Sequence, residues 1–298
     1  MARAPQGDNA NDGTIRPVDL YPPCRVSAPR KIAMLSDWIF NAAVTVFLVL
    51  AGTALFFFTL TRGALILRSI TGKAHDAAAH VYPIYSNMRL IRLVDWQPII
   101  AAILLFQYDR LVSAITSRLQ ETDLRGRKVL ITSCAFGNVI PRVVEASVLA
   151  GASRVLIADI IVNELRHART KLPAFAGRID YIEDNATAMT LPDRSVDANV
   201  IFFLLHELPH ALKGEALREA CRVLAPGGKL YLAEFHKPEP WVLRALSWTY
   251  FKVFEPLGLA LWDTHDPVLQ LQAMEGFTCE RRTVFFGNFQ VIVATRLS

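Results

Sequence analysis

The second half of this 298-residue sequence predicts an α/β fold: a mostly parallel, doubly wound sheet closed by an antiparallel C-terminal hairpin and preceded by a helical N-terminal extension. Three observations predict it. Short β-rich runs at residues 128–132, 154–161, 197–205 and 229–235 alternate with longer helical stretches, as in a parallel sheet covered by helices. A tight turn, Ser133-Cys134-Ala135-Phe136-Gly137-Asn138, follows the first run. An acid, Asp159, lies near the end of the second, at the sheet edge where such folds place their ligands.

The elements follow in order. Residues 1–35 carry Pro5, Pro17, Pro22, Pro23 and Pro29 among small and polar residues, a composition that predicts a disordered tail. Residues 36–72 hold an apolar segment. No charge occurs between Asp37 and Arg62, and residues 38–60 are rich in Val, Leu, Phe and Ala, long enough to cross a bilayer. The polar stretch before it and its length favour a retained anchor over a cleaved signal peptide, with a buried or interfacial helix as the alternative. Arg25, Arg30 and Lys31 on one flank balance Arg62, Arg68 and Lys73 on the other, so charge assigns no orientation. Residues 73–126 read as helices that cap a pocket or lie on a membrane, carrying Tyr82-Pro83-Ile84-Tyr85-Ser86-Asn87 and the apolar stretch 99–106. Residues 127–298 form the sheet domain, and its last two runs, 276–282 and 283–295, read as a hairpin joined near Gly287-Asn288.

Composition narrows the classes. The chain is 52% hydrophobic, high for a wholly soluble protein. Its net charge of +5 is scattered, without the basic block or motif that a nucleic-acid partner requires. Cys24, Cys134, Cys221 and Cys279 form no C-x-x-C pair, which argues against a disulfide framework or structural zinc and for reduced cytoplasmic thiols.

The turn after the first strand lets a nucleotide approach the backbone, and its one glycine is Gly137. Asp159, with Ile160 beside it, is placed to accept hydrogen bonds from both hydroxyls of a ribose; capping of the helix that begins near Val162 is the alternative. Glu183-Asp184-Asn185-Ala186 comes next, and Pro226-Gly227-Gly228 reads as the turn before the last parallel strand.

His206-Glu207-Leu208-Pro209-His210 matches the zinc-protease pattern H-E-x-x-H, which needs both histidines on one helix face. Here it follows a strand, and Pro209 favours a first helical turn, so His206 and Glu207 fall in the strand-end loop and His210 turns away. His236 ends the next strand. Together His206, Glu207 and His236 are candidates to bind a divalent ion, and His206 and Glu207 suit acid–base work; helix capping by His206 and a backbone hydrogen bond from His236 are the structural alternatives.

Asp159, the 183–186 stretch and the Pro226-Gly227-Gly228 turn, in that order, resemble the Rossmann-like class I S-adenosylmethionine (SAM) methyltransferases. That resemblance implies a cofactor site of Ser133, Cys134, Ala135, Gly137, Asn138, Asp159 and Ile160, with Asp184, Asn185 and Ala186 framing the adenine. The turn after the first strand departs from the pattern of those methyltransferases: it keeps only Gly137 of their several glycines and has Ile131 in place of their acid.

A narrower resemblance covers residues 80–296. The motifs Tyr82-Pro83-Ile84-Tyr85-Ser86-Asn87, Cys134-Ala135-Phe136-Gly137-Asn138, Phe202-Phe203-Leu204-Leu205-His206-Glu207, His236-Lys237-Pro238 and Phe286-Gly287-Asn288-Phe289-Gln290 resemble the rhodoquinone biosynthesis methyltransferase-like proteins of bacteria. It implies conversion of ubiquinone to rhodoquinone, with SAM as amino donor and manganese(II) as cofactor. His206, Glu207, Tyr82 and Tyr85 would then face the quinone ring, with plain aromatic packing the alternative for the two tyrosines, and His206, Glu207 and His236 would face the metal. A substrate dissolved in the bilayer gives the apolar segment a purpose, holding a cytoplasmic catalytic domain at the bacterial inner membrane. The competing expectations are an ordinary SAM-dependent quinone or phenol methyltransferase and an inactive, membrane-tethered SAM-binding module.

Overall fold

The computed structural model describes residues 30–59, 85 and 87–297. The chain divides into two units, residues 1–52 and 53–298, the first helix running across the division. That helix, α1 (Arg30–Phe58), contains the 19-residue stretch Asp37–Leu55, whose mean hydropathy is 2.0 and whose side chains are unburied. No proline interrupts it, and its Leu-, Val-, Ala- and Phe-rich surface lacks a polar face of the kind a soluble amphipathic helix carries.

In the second unit, α2 (Met88–Val94), α3 (Gln97–Ile103) and α4 (Tyr108–Gln120) precede the sheet. The Asn87 side chain caps α2 by accepting from the Arg89 amide, and Pro98 sits in the first turn of α3, where its missing N–H costs nothing. Along α4 the buried residues Tyr108, Leu111, Val112, Ile115 and Leu119 recur at helical spacing. They share one core with Val139, Val143 and Val144 of α5 (Val139–Leu149), so α4 is a structural layer of the sheet domain. The boundary expected at residues 126 and 127 does not separate the cores.

The strands are β1 (Lys128–Thr132), β2 (Arg154–Asp159), β3 (Ile179–Glu183), β4 (Val196–Phe202), β5 (Leu224–Phe235), β6 (Phe277–Val284) and β7 (Phe289–Arg296). The described residues form one sheet in the order β3-β2-β1-β4-β5-β7-β6, parallel through β5 and antiparallel at β7 and β6. This is the class I SAM methyltransferase fold. The helices α6 (Val162–Thr170), α7 (His210–Arg222), α8 (Trp241–Val253) and α9 (Pro267–Gln272) complete it. Alternation along β1 divides the interior: Val129 and Ile131 join the core under α4 and α5, and Leu130 joins the one containing Leu217 and Leu271.

Several limits differ from those expected. β2 stops at Asp159 because its carboxylate accepts the Ile161 amide at 2.7 Å and bends the chain. β4 stops at Phe202 because Phe203 takes a left-handed φ of 55°. β5 begins at Leu224, so Pro226-Gly227-Gly228 is an irregularity within the strand, where its register with β4 shifts, and not a turn before it. β3, which has only five residues and weak alternation, escaped the sequence reading.

Candidate active site

Because β1 and β4 are neighbours at the centre of the sheet, their C-terminal ends bring the 133–138 loop and the 203–207 turn to one rim. Between them lies a cavity of about 230 Å³, lined by Ser133, Cys134, Ala135, Phe136, Phe203, His206 and Glu207, with Tyr85 and side chains from α3 and α8.

The loop is held by the end of β2 and by residues outside the sheet. The Cys134 amide donates to Asp159 at 2.6 Å, and the Gly137 amide donates to Asp95 at 2.7 Å. The Lys171 ammonium bridges Asp95, at 2.5 Å, and the Gly137 carbonyl, at 2.9 Å, while His167 Nε2 lies 3.0 Å from Asp95. The Tyr108 hydroxyl donates to the Phe136 carbonyl at 3.2 Å. Gly137 is left-handed at φ 82°, and a Cβ there would strike the Tyr108 ring and hydroxyl, which explains why this one glycine survives. Ser133 also is left-handed, at φ 75°, and its hydroxyl faces Asp159 at 3.4 Å.

Asp159 thus ties the loop, a role beyond those expected of it, and bonds the amide ahead of α6, close to the capping alternative. Both of its oxygens, expected to take ribose hydroxyls, are engaged by backbone amides. Burial pushes its carboxyl up while those amide bonds pull it down. Ile160 is exposed, and Asn138 opens α5 without a side-chain cap. Asp184 accepts the Asn185 amide and both the amide and hydroxyl of Thr190, while Asn185 accepts from Thr187, and Ala186 packs on the second core. These three shape a turn at the end of β3; they do not line the cavity.

At the opposite wall, the Tyr85 hydroxyl donates to Glu207 at 2.6 Å and its ring stacks on Phe136, 5.7 Å away and 9° from parallel. Burial pushes the Glu207 carboxyl up to about 7, with the neighbouring His206 charge opposing. His206 Nδ1 lies 3.1 Å from Glu234, which is fully buried and also accepts the His206 and Phe235 amides. Burial pulls the imidazolium down, but the Glu234 charge and hydrogen bond outweigh it, leaving the ring raised to about 9. The turn is pinned from below by the fully buried Lys213, whose ammonium donates to the carbonyls of Leu205 and Leu208; burial lowers it to about 8.

The expected metal set does not assemble. Phe235 lines the cavity, and the next residue, His236, faces the hairpin, where Nδ1 donates to the Gly287 carbonyl at 2.7 Å and Nε2 meets Arg281. Among the described residues no three His, Cys, Asp or Glu side chains are arranged to hold a metal ion. His206 is committed to Glu234 and does not cap a helix, and His210 begins α7 behind Pro209, so the H-E-x-x-H residues do not share a helix face. Tyr82 lies outside the described residues.

Four acids at or beside the candidate site were not singled out from the sequence: Asp95, Glu164, Glu234 and Glu255. Glu255 lines the cavity. Glu164, in the first turn of α6, is buried with one carboxylate oxygen lacking a hydrogen-bond partner; burial, then the Asp159 charge, pushes it up to about 8. Nothing local marks these acids; Asp95 and Glu234 find their partners far along the chain, at Gly137 and Lys171 and at His206.

Comparison with known proteins places this site in context. A model of the ubiE/COQ5 methyltransferase family matches residues 96–268. The chain is 35% identical over 136 residues to the ubiquinone/menaquinone biosynthesis C-methyltransferase UbiE of a Shewanella species, covering 45% of this chain and 53% of that protein. It is 36% identical over 139 residues to the protein of that name from Cronobacter sakazakii, covering 46% and 48%. The chain therefore matches about half the length of these relatives. Among solved structures, the YcgJ protein of Bacillus subtilis superposes with a TM-score of 0.50 at 12% identity, covering 64% of this chain and 99% of that one, a likeness of fold.

Proposed function

The chain belongs to the ubiE/COQ5 methyltransferase family, and from that premise we propose that it is a SAM-dependent enzyme acting on a quinone or phenol ring, with Glu207 as general base. The observation that carries this reading is the Tyr85–Glu207 pair, set in an aromatic cavity that opens directly on the 133–136 loop. The chain's residues fit the cofactor's place in this fold: the 133–137 loop and Asp159 meet at the C-terminal ends of β1 and β2, where such folds take a nucleotide, and buried Glu164 nearby keeps a carboxylate oxygen without a hydrogen-bond partner. When bound, SAM supplies an electrophilic methyl on a sulfonium.

The remaining work falls to the side chains. A flat ring slides between apolar walls, one of them Phe136 stacked on Tyr85. Glu207, poised near neutrality, takes the ring hydroxyl proton on its carboxylate and raises the electron density of the neighbouring ring carbon. His206, charged at neutral pH through Glu234, stabilises the oxyanion so formed. Tyr85 holds Glu207 in place, and Lys213 fixes the turn beneath it.

A second reading, replacement of a ring methoxy by an amino group from SAM as in rhodoquinone formation, is favoured by the rewritten loop. Ile131 removes a fixed negative charge, and Ser133, Ala135 and Phe136 fill space that glycines would leave open. Manganese is not part of this reading, because the donor set does not fit a metal. Incubation with SAM and a short-tailed ubiquinone, or its demethylated precursor, separates the alternatives by product mass. A methylated ring with S-adenosylhomocysteine supports the first reading and an aminoquinone the second. SAM binding without turnover marks a binding module and overturns both. Unchanged turnover in Glu207→Gln removes Glu207 as the base.

The apolar stretch of α1 supports a site of action at the bacterial cytoplasmic membrane. A truncated chain lacking residues before Lys73 that resists alkaline carbonate extraction, which strips surface-docked proteins, refutes α1 as the anchor.

A further inference from the structure

We propose that α8 docks the rim of the cavity onto an anionic lipid bilayer. The 3.6-residue period gives this helix two adjacent outward stripes. One carries Val242, Leu246 and Val253, and the other alternates Trp241, Arg244, Trp248 and Lys252. Trp241 is 77% exposed, Leu246 64% and Trp248 49%, an apolar display on the outer surface of the fold. The opposite face is anchored: Ser247 and Phe251 are buried, and the Ser247 hydroxyl donates to Asn288 at 2.7 Å.

The occupant is argued from charge and residue type. The charged residues within α8 are Arg244 and Lys252, both basic; the Arg244 guanidinium donates to the Pro238 and Glu239 carbonyls, which fix its charge at the start of the helix, and the Lys252 ammonium lies 5.4 Å from the centre of the Trp248 ring. Tryptophan beside basic side chains is the composition of a helix lying in the headgroup layer, the indoles at the apolar boundary and the cations against lipid phosphates. A protein partner would have to match both this basic stripe and the apolar one; an anionic bilayer does so without a shaped surface.

The position gives docking a purpose. The cavity is lined by Tyr250 and Phe254, at the C-terminal end of α8, and by Ile103 and Leu104, at the end of α3. Just past Leu104 the chain turns 94° into α4 through Leu105 and Phe106, both left-handed, leaving Phe106 79% exposed. The two elements that border the cavity therefore both present apolar side chains outward. A long-tailed ring entering between them would leave its tail in lipid, a consequence that rests on the quinone reading; the docking itself does not.

The test uses the full chain in nanodiscs of anionic lipid with brominated acyl tails, which quench nearby indoles. Trp241→Phe and Trp248→Phe should each remove part of the quenched emission, and Leu246→Glu should diminish quenching at both. An unchanged quenched fraction in both Trp variants overturns the proposal. So does protection of Trp241 that depends on protein copy number and not on bromine, which would assign this face to a second copy. Leu246→Glu should also cut turnover of a long-tailed quinone in the disc about tenfold, leaving a water-soluble short-tailed quinone unaffected. Equal loss on both substrates overturns the link to the cavity. Quenching without any quinone turnover keeps the docking and sinks the quinone reading alone.

Discussion

Tyr85→Phe is the most discriminating single change in the proposed site. It keeps the ring that stacks on Phe136 and removes only the hydroxyl that donates to Glu207 at 2.6 Å. A hydrogen bond to a charged group is worth about 1.5–3 kcal/mol, and each pH unit corresponds to about 1.4 kcal/mol, so losing it should raise the Glu207 carboxyl by roughly one to two units from its present value. That value is about 7, already raised by burial, with the Tyr85 hydrogen bond acting to lower it. If Glu207 is the base, kcat/KM rises with pH through its pKa, and the acid limb of the profile should move upward by that amount. Below the limb the variant should be about tenfold slower or more, and on the alkaline plateau the two enzymes should converge to within a few fold. The measurement is a pH–rate profile of transfer from labelled SAM to a short-tailed acceptor, with SAM saturating. A uniform loss at every pH, with the limb unmoved, would show that Tyr85 only packs and that Glu207 is not the titrating base.

Glu234→Gln should release His206. The folded imidazole is held near 9 against an ordinary 6.5, so its stabilisation is full below about pH 6.5 and is lost as the pH rises through about 9. The wild type should lose about 3 kcal/mol across that window by denaturant midpoints in detergent, and the variant should show a much flatter dependence. Gly137→Ala places a Cβ against Tyr108 at a left-handed φ, and should cost about 2 kcal/mol or more and weaken SAM binding by calorimetry; unchanged binding would mean the loop is free to move away. Lys171→Met leaves the Gly137 carbonyl without its ammonium and Asp95 with one cationic partner fewer. Stability should drop by up to about 3 kcal/mol and the KM for SAM should rise, and a rise in stability would show that desolvation of the pair outweighs its attraction.

What was legible in the sequence is what adjacent residues decide. Alternating β-rich and helical runs, the turn after β1, the acid closing β2 and the strand-end position of His206 and Glu207 depend on local period and turn chemistry. The placement of Pro209 was enough to set aside a zinc helix. His236 misled because one residue's parity at a strand end decides which way a side chain faces, and its neighbour Phe235 took the cavity side. The irregular start of β5 was read as a turn for a similar reason: glycines that permit a bulge also permit a turn.

By itself, then, the sequence determined the layered α/β architecture, the apolar segment ahead of it and the rim on which chemistry would occur. Only the tertiary structure decided the partners. Tyr85 meets Glu207 across 122 positions, Asp95 meets Gly137 across 42, and Glu234 reaches His206 across 28. Such pairs leave no periodic trace, because they arise where elements cross, and their energies depend on burial that no single segment possesses. Packing also turned Glu207 from an ordinary acid into one poised near neutrality, and left the tryptophan face of α8 uncovered beside the cavity.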